Sequence, residues 1–80
     1  MKARVYVTLK KSVFDPQGKT IRDALVGMGY GGIQDVRQGK FFEVELNGAS
    51  PEAARATVEE ISRKVLANPV VESFRVEIDR

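Results

Sequence analysis

Gly27, Gly29 and Gly32 have the G-x-G-x-x-G spacing of a dinucleotide fingerprint, so nucleotide binding is the first chemistry the chain offers. That fingerprint works where it follows a strand and opens a helix, because the helix N-terminus holds the pyrophosphate. Here the glycines close an amphipathic stretch and lead into an extended one, so they read as a helix C-cap and turn. Tyr6 and Phe41 offer a second chemistry, stacking on nucleic-acid bases. Their neighbours Glu43, Glu45 and Glu77 would repel phosphate. A third is anion or acidic-surface binding by Lys10, Lys11, Lys19, Arg37 and Lys40 beside a helix start. Solvation of ordinary loops is the plainer account of any one of them. Metal and nucleophilic chemistry is poorly supplied. The 80 residues contain no His, Cys or Trp, which removes the usual zinc ligands and both common nucleophile–base pairs.

The elements that position these residues start from Asp15-Pro16-Gln17-Gly18-Lys19. Asp15 suits an N-cap and Pro16 the first helical position. Gly18 works against both, since glycine in a helix costs up to about 1 kcal/mol relative to alanine. A residue that weakens an exposed helix start implies a close approach to the backbone there. Ile21, Ala24, Leu25 and Met28 then fall at helical spacing, and Gly29 ends the run. Ser50-Pro51 repeats the device, with Ala54, Val58, Ile61 and Val65 as the apolar stripe of a second helix. Asn68-Pro69 stops it, with Asn68 a candidate left-handed cap.

Strands show as alternation: Val5, Val7 and Leu9 in the first, Phe42, Val44 and Leu46 in another, Phe74, Val76 and Ile78 in the last. Ile33–Gln38 is a further short strand, Gln38-Gly39 a tight turn after it, and Asn47-Gly48 a stop. The order β-α-β-β-α-β within residues 1–80 predicts one α+β domain of ferredoxin-like topology. Its four-stranded antiparallel sheet would have order 4-1-3-2, with both helices on one face. That topology gathers Lys10–Lys19, Arg37–Lys40 and Ala67–Glu72 at one end. The open sheet face carries Tyr6, Phe41, Glu43 and Arg75, whose mixed charges suit self-association better than RNA.

Lys plus Arg is 13 and Asp plus Glu is 11, a net charge of +2 with no basic or acidic block. Neither a nucleic-acid tail nor a membrane-length apolar run is present, and the N-terminus has no signal-peptide pattern. The expectation is a cytoplasmic protein with no membrane or nucleic-acid partner.

Together, Asp15-Pro16-Gln17-Gly18, Gly29-Tyr30, Arg37-x-Gly39-Lys40 and Leu66-Ala67-Asn68-Pro69-Val70 resemble, in order and spacing, the PurS family of phosphoribosylformylglycinamidine synthase subunits. The resemblance spans essentially the whole chain. It implies a non-catalytic role in a glutamine amidotransferase complex. There a glutaminase subunit releases ammonia, and an ATP-using synthetase subunit activates formylglycinamide ribonucleotide to receive it. The chain itself would bind no cofactor. It would form a homo-oligomer, a dimer or tetramer, and assemble the other two subunits. On this reading Tyr6, Phe41, Glu43 and Arg75 serve self-association, while Asp15, Gln17, Gly18, Arg37, Lys40 and Asn68 lie at partner contacts. An RNA-binding module and a small-ligand regulatory domain are the rival classes.

Overall fold

A computed structural model describes residues 1–47 and 50–79. Gly48 of the expected Asn47-Gly48 stop lies outside the described residues. The elements run β1 (Lys2–Leu9), α1 (Pro16–Gly27), β2 (Gly39–Glu45), α2 (Pro51–Ile61) and β3 (Glu72–Asp79), with a π-helical turn, Ser62–Leu66, extending α2. The sheet is three-stranded and antiparallel in the order β2-β1-β3.

Alternation on β1 sends Ala3, Val5 and Val7 into the core, where they are fully buried. Val58 and Ala67 close over them, with Phe74, Val76 and Ile78 of β3 and Phe42, Val44 and Leu46 of β2 alongside. α2 lies across β3 and β1. Its start follows the expected pattern, the Ser50 hydroxyl accepting from the Ala53 N–H at 3.2 Å. The stripe then breaks. The π turn, closed by the Ala67 N–H donating to the Ser62 carbonyl at 2.8 Å, shifts the side-chain phase. Ser62 is buried and donates its hydroxyl to the Val58 carbonyl at 2.7 Å, whereas Val65, expected inside, is 78% exposed.

Two other expectations need correction. Ile33–Gln38 forms no strand, so the described residues form three strands where four were expected. The segment's backbone is engaged elsewhere: the Ile33 carbonyl accepts from Arg22 of α1, and the Gln38 N–H donates to Asp15. Nor is Gln38-Gly39 a tight turn. Gly39 is the first residue of β2, opposite Thr8, and a Cβ there would stand 2.4 Å from the Val7 carbonyl oxygen. The chain therefore runs straight through this point into the sheet.

The consequence is an α1 that does not lie on the sheet face with α2, since it makes no comparable packing with any strand. The chain extends 50 × 26 × 14 Å. An eight-residue strand covers only about 26 Å, so α1 and its return segment form an arm beyond the sheet end. The radius of gyration is 16.0 Å, where a compact chain of this length has about 12 Å. α1 nonetheless ends as its glycines predict. Gly29 has φ 105°, and the N–H groups of Tyr30 and Gly29 donate to the Leu25 and Val26 carbonyls at 3.1 and 3.0 Å, the paired bonds of a Schellman cap.

Candidate functional site

The three segments expected to converge do meet, where the arm joins the sheet. Asp15 is their centre and is only 5% exposed. Its Oδ1 accepts from the Gly18 N–H at 2.9 Å, the N-cap bond of α1. Its Oδ2 accepts from the Gln38 N–H at 2.8 Å, which fixes the residue entering β2. One carboxylate thus holds both ends of the arm. These bonds, the Gln38 one first, with the Arg37 guanidinium nearby, hold the Asp15 carboxyl below the usual carboxylate range.

Arg37 braces the same junction. Its guanidinium donates to the carbonyls of Lys10 and Val13 at 2.9 and 2.8 Å. Gln38 donates its side-chain amide to Gln17 Oε1 at 2.6 Å. From the third segment, Glu72 faces Lys40 at 3.4 Å and accepts the Asn68 N–H at 2.7 Å. Those contacts, the Asn68 bond first, lower the Glu72 pKa. A cleft of about 190 Å³ opens between Leu9, Asp15, Gln17, Lys40 and Glu72.

The close approach implied by Gly18 is present, and the chain itself makes it. Gly18 is buried against the return segment, where a Cβ would stand 2.0 Å from the Val36 carbonyl oxygen. The partner-contact candidates therefore divide by exposure. Asp15 and Gly18 are buried in the frame, while Gln17, Arg37, Lys40 and Asn68 form its exposed rim. Asn68 is not a left-handed cap, since no described non-glycine residue has positive φ. Its Oδ1 accepts from the Val70 N–H at 3.0 Å, a side-chain-closed turn. Gln38 and Glu72 lie within the segments expected to converge here, but sequence reasoning did not single them out as site residues. The only local sign for Glu72 was its place four residues beyond Asn68.

The expected positive charge is partly neutralised within the chain. Lys19 pairs with Asp23 at 2.6 Å, Lys40 faces Glu72, and Arg37 is committed to carbonyls. The N-terminus of α1 already holds the Asp15 carboxylate, the position an external anion would take. Among the described residues no three His, Cys, Asp or Glu side chains cluster as a metal site.

On the open sheet face, register places Phe41 and Arg75 on either side of Tyr6. The Tyr6 and Phe41 rings lie 5.1 Å apart, tilted by 36°. The Arg75 guanidinium sits 4.3 Å above the Tyr6 ring, whose hydroxyl donates to Glu77 at 3.1 Å. Glu43 pairs with Lys2 at 3.2 Å, Arg4 binds Asp79, and Arg75 reaches Glu77. The charges are thus paired across strands within one chain, and what remains at the centre is a flat aromatic–guanidinium stack. Arg75→Ala removes that cation–π contact and is expected to cost about 0.5–1 kcal/mol. Urea unfolding followed by circular dichroism measures it, and no loss would mean the stack is not held in solution.

What these features define is a small α+β domain that presents a braced polar end and an aromatic sheet face. The family model described as phosphoribosylformylglycinamidine (FGAM) synthase, PurS, matches residues 2–80. The chain belongs to the PurS family. It is 44% identical to the phosphoribosylformylglycinamidine synthase subunit PurS of Bacillus subtilis, over 98% of this chain and 92% of that protein. It superposes on Methanocaldococcus jannaschii PurS, a subunit of formylglycinamide ribonucleotide amidotransferase in the purine biosynthetic pathway. The TM-score is 0.90 at 33% identity, covering 99% of this chain and 95% of that one. A chain of the PurLQS structure from Thermotoga maritima matches with TM-score 0.87 at 30% identity, over 95% and 93% of the two chains.

Proposed function

We propose that this chain is the non-catalytic assembly subunit of its FGAM synthase. It bridges a glutaminase subunit and an ATP-dependent synthetase subunit that together convert formylglycinamide ribonucleotide, glutamine and ATP to formylglycinamidine ribonucleotide. The observation that carries this reading is the arm–sheet junction. Asp15 and Arg37 tie the Lys10–Lys19 and Arg37–Lys40 segments together, the Lys10 N–H and Lys40 join the third at Val71 and Glu72, and Gln17, Lys40 and Asn68 are left on an exposed rim. A surface held rigid before contact pays less ordering entropy on binding. The chain works in the cytoplasm, binds no ATP itself, and has neither nucleic-acid nor membrane partners. No helix among the described residues is long and apolar enough to cross a membrane.

The same reading includes a homo-oligomer, with the stack of Tyr6, Phe41 and Arg75, beside Glu43, as one self-association face.

Reconstitution with the synthetase and glutaminase tests the proposal. Glutamine-dependent turnover should require the chain. Gln17→Ala/Lys40→Ala should keep the fold, since an exposed ion pair is worth only about 0–1 kcal/mol. It should raise at least tenfold the concentration of chain needed for half-maximal turnover, with turnover recovering at saturation. Full turnover without the chain would overturn the assembly role. An unchanged titration would overturn the placement of the contact at this rim. Salt-sensitive binding of single-stranded RNA, lost in Tyr6→Ala, would instead favour the RNA-binding class.

A further inference from the structure

β3 is an edge strand of eight residues, paired with β1 on one side only. Within it Phe74, Val76 and Ile78 alternate with Ser73, Arg75 and Glu77, a pattern that suits pairing with a further strand. A straight edge of that length is a template for addition of another chain unless something interrupts it.

The register fixes which backbone groups face outward. The Lys10 N–H donates to the Val71 carbonyl at 2.9 Å, a bonded pair just before β3. Bonded and unbonded pairs alternate along an antiparallel ladder. With Leu9 opposite Glu72 and Val5 opposite Val76, the N–H and C=O groups of Glu72, Phe74, Val76 and Ile78 point away from β1.

Two of these residues are already engaged. The Glu72 N–H donates to the Asn68 carbonyl at 2.7 Å, in the turn that leads into the strand. The Val76 carbonyl accepts from Arg55 Nη1 at 3.1 Å. Arg55 stands on α2 beside the buried Ala54, so the helix that covers the sheet also sets a guanidinium on its rim. An added antiparallel strand exchanges both bonds with each outward residue in turn. Glu72 and Val76 alternate with Phe74 and Ile78, so no two successive outward residues are both fully free. The edge is broken into single residues.

The guanidinium is not drawn elsewhere. Arg4, Lys40 and Arg75 pair with carboxylates, whereas Arg55 pairs with none among the described residues. Its charge adds to the obstruction. Two β3 edges paired about Val76 would bring two Arg55 side chains together, and like charges so placed are destabilising.

We propose that Arg55 closes the edge of β3 to strand addition, and that the strand it excludes is β3 of a second copy. This role goes beyond the assembly function proposed above and does not depend on it. Without the guanidinium, Phe74, Val76 and Ile78 become three successive outward residues open to a new strand.

Arg55→Met tests this, because it removes the donor and the charge and keeps most of the stem. Arg55→Ala repeats the test without the stem, and Arg55→Lys restores a donor. Arg63→Ala is the control, removing the same charge from an exposed position just beyond α2. Light scattering over a concentration series reads the mass of each. Amide hydrogen exchange followed by NMR reads the N–H groups of Phe74, Val76 and Ile78. In the unmodified chain those three rates should not change with concentration. Arg55→Met and Arg55→Ala should at least double the mass at high concentration and slow the three rates at least tenfold. Arg55→Lys and Arg63→Ala should behave as the unmodified chain does. Unchanged mass and exchange in Arg55→Met would overturn the proposal. So would growth that leaves the three N–H groups unprotected, since association would then lie elsewhere. Equal growth in Arg63→Ala would assign the effect to lost charge alone and overturn it too. Concentration-dependent protection of the three N–H groups in the unmodified chain would show an edge that Arg55 does not close.

Discussion

Gly18→Ala is expected to lower the melting temperature by about 10 °C or more, a loss of roughly 2 kcal/mol for a domain of this size. Two effects oppose each other. Alanine favours the helix by up to about 1 kcal/mol over glycine. Against this, the new Cβ would stand 2.0 Å from the Val36 carbonyl oxygen and 3.0 Å from both the Val36 carbonyl carbon and Asp15 Oδ2. Ordinary contact needs more than an ångström of extra separation, and the obstacle is backbone rather than a flexible side chain. Moving Val36 also moves Gln38, whose N–H is held by Asp15, so the steric term takes a hydrogen bond with it. Gly27→Ala is the control, because nothing lies within 4 Å of its Cβ position. There the propensity gain stands alone, and the melting temperature should hold or rise. Thermal denaturation of the two variants side by side measures the difference. Equal curves would mean that the arm is not closed against its return segment.

The same residue shows what a sequence can and cannot carry. Its unfavourable helix propensity was visible, and so was the need for a close neighbour. That the neighbour would be Val36 was not, because it depends on where the arm returns. The caps of both helices, the Schellman end at Gly29 and the alternation of β1, β2 and β3 are local signals, and each was legible. Convergence of the three segments followed from topology and survived the loss of a strand, because Asp15 and Arg37 join the first two directly and the Lys10 N–H and Lys40 join the third at Val71 and Glu72. The hairpin at Gln38-Gly39 failed for a non-local reason. The same dipeptide suits a tight turn or a close strand approach, and its register against Val7 and Thr8 decides for the strand. Val65 failed because an inserted π turn rotates everything after Ile61, which a fixed helical period does not anticipate.

Asp15 carries the second large effect, and its sign depends on pH. Its folded pKa is lowered by the N–H groups of Gln38 and Gly18. The stabilisation is therefore fully present above the ordinary carboxylate pKa of about 3.9 and is lost as pH falls through the lower folded value. Asp15→Ala should reduce the melting temperature at pH 7 by about 5–10 °C, since it removes an N-cap and leaves the partly buried Gln38 N–H without its acceptor. Asp15→Asn should fall between. One amide oxygen can keep the Gly18 bond, but the amide nitrogen would then face a second donor at Gln38. The gap between wild type and Asp15→Ala should hold from pH 7 to pH 5 and narrow below about pH 4 as the native carboxylate takes up its proton. Asp23, Glu72, Glu77 and Asp79 also have lowered pKa values, so acid weakens every variant. Only the difference between variants isolates Asp15. Scanning calorimetry from pH 7 to pH 2.5 supplies it. A gap that stays constant throughout would show that the carboxylate's charge plays no part, and that a neutral cap would brace the junction equally well.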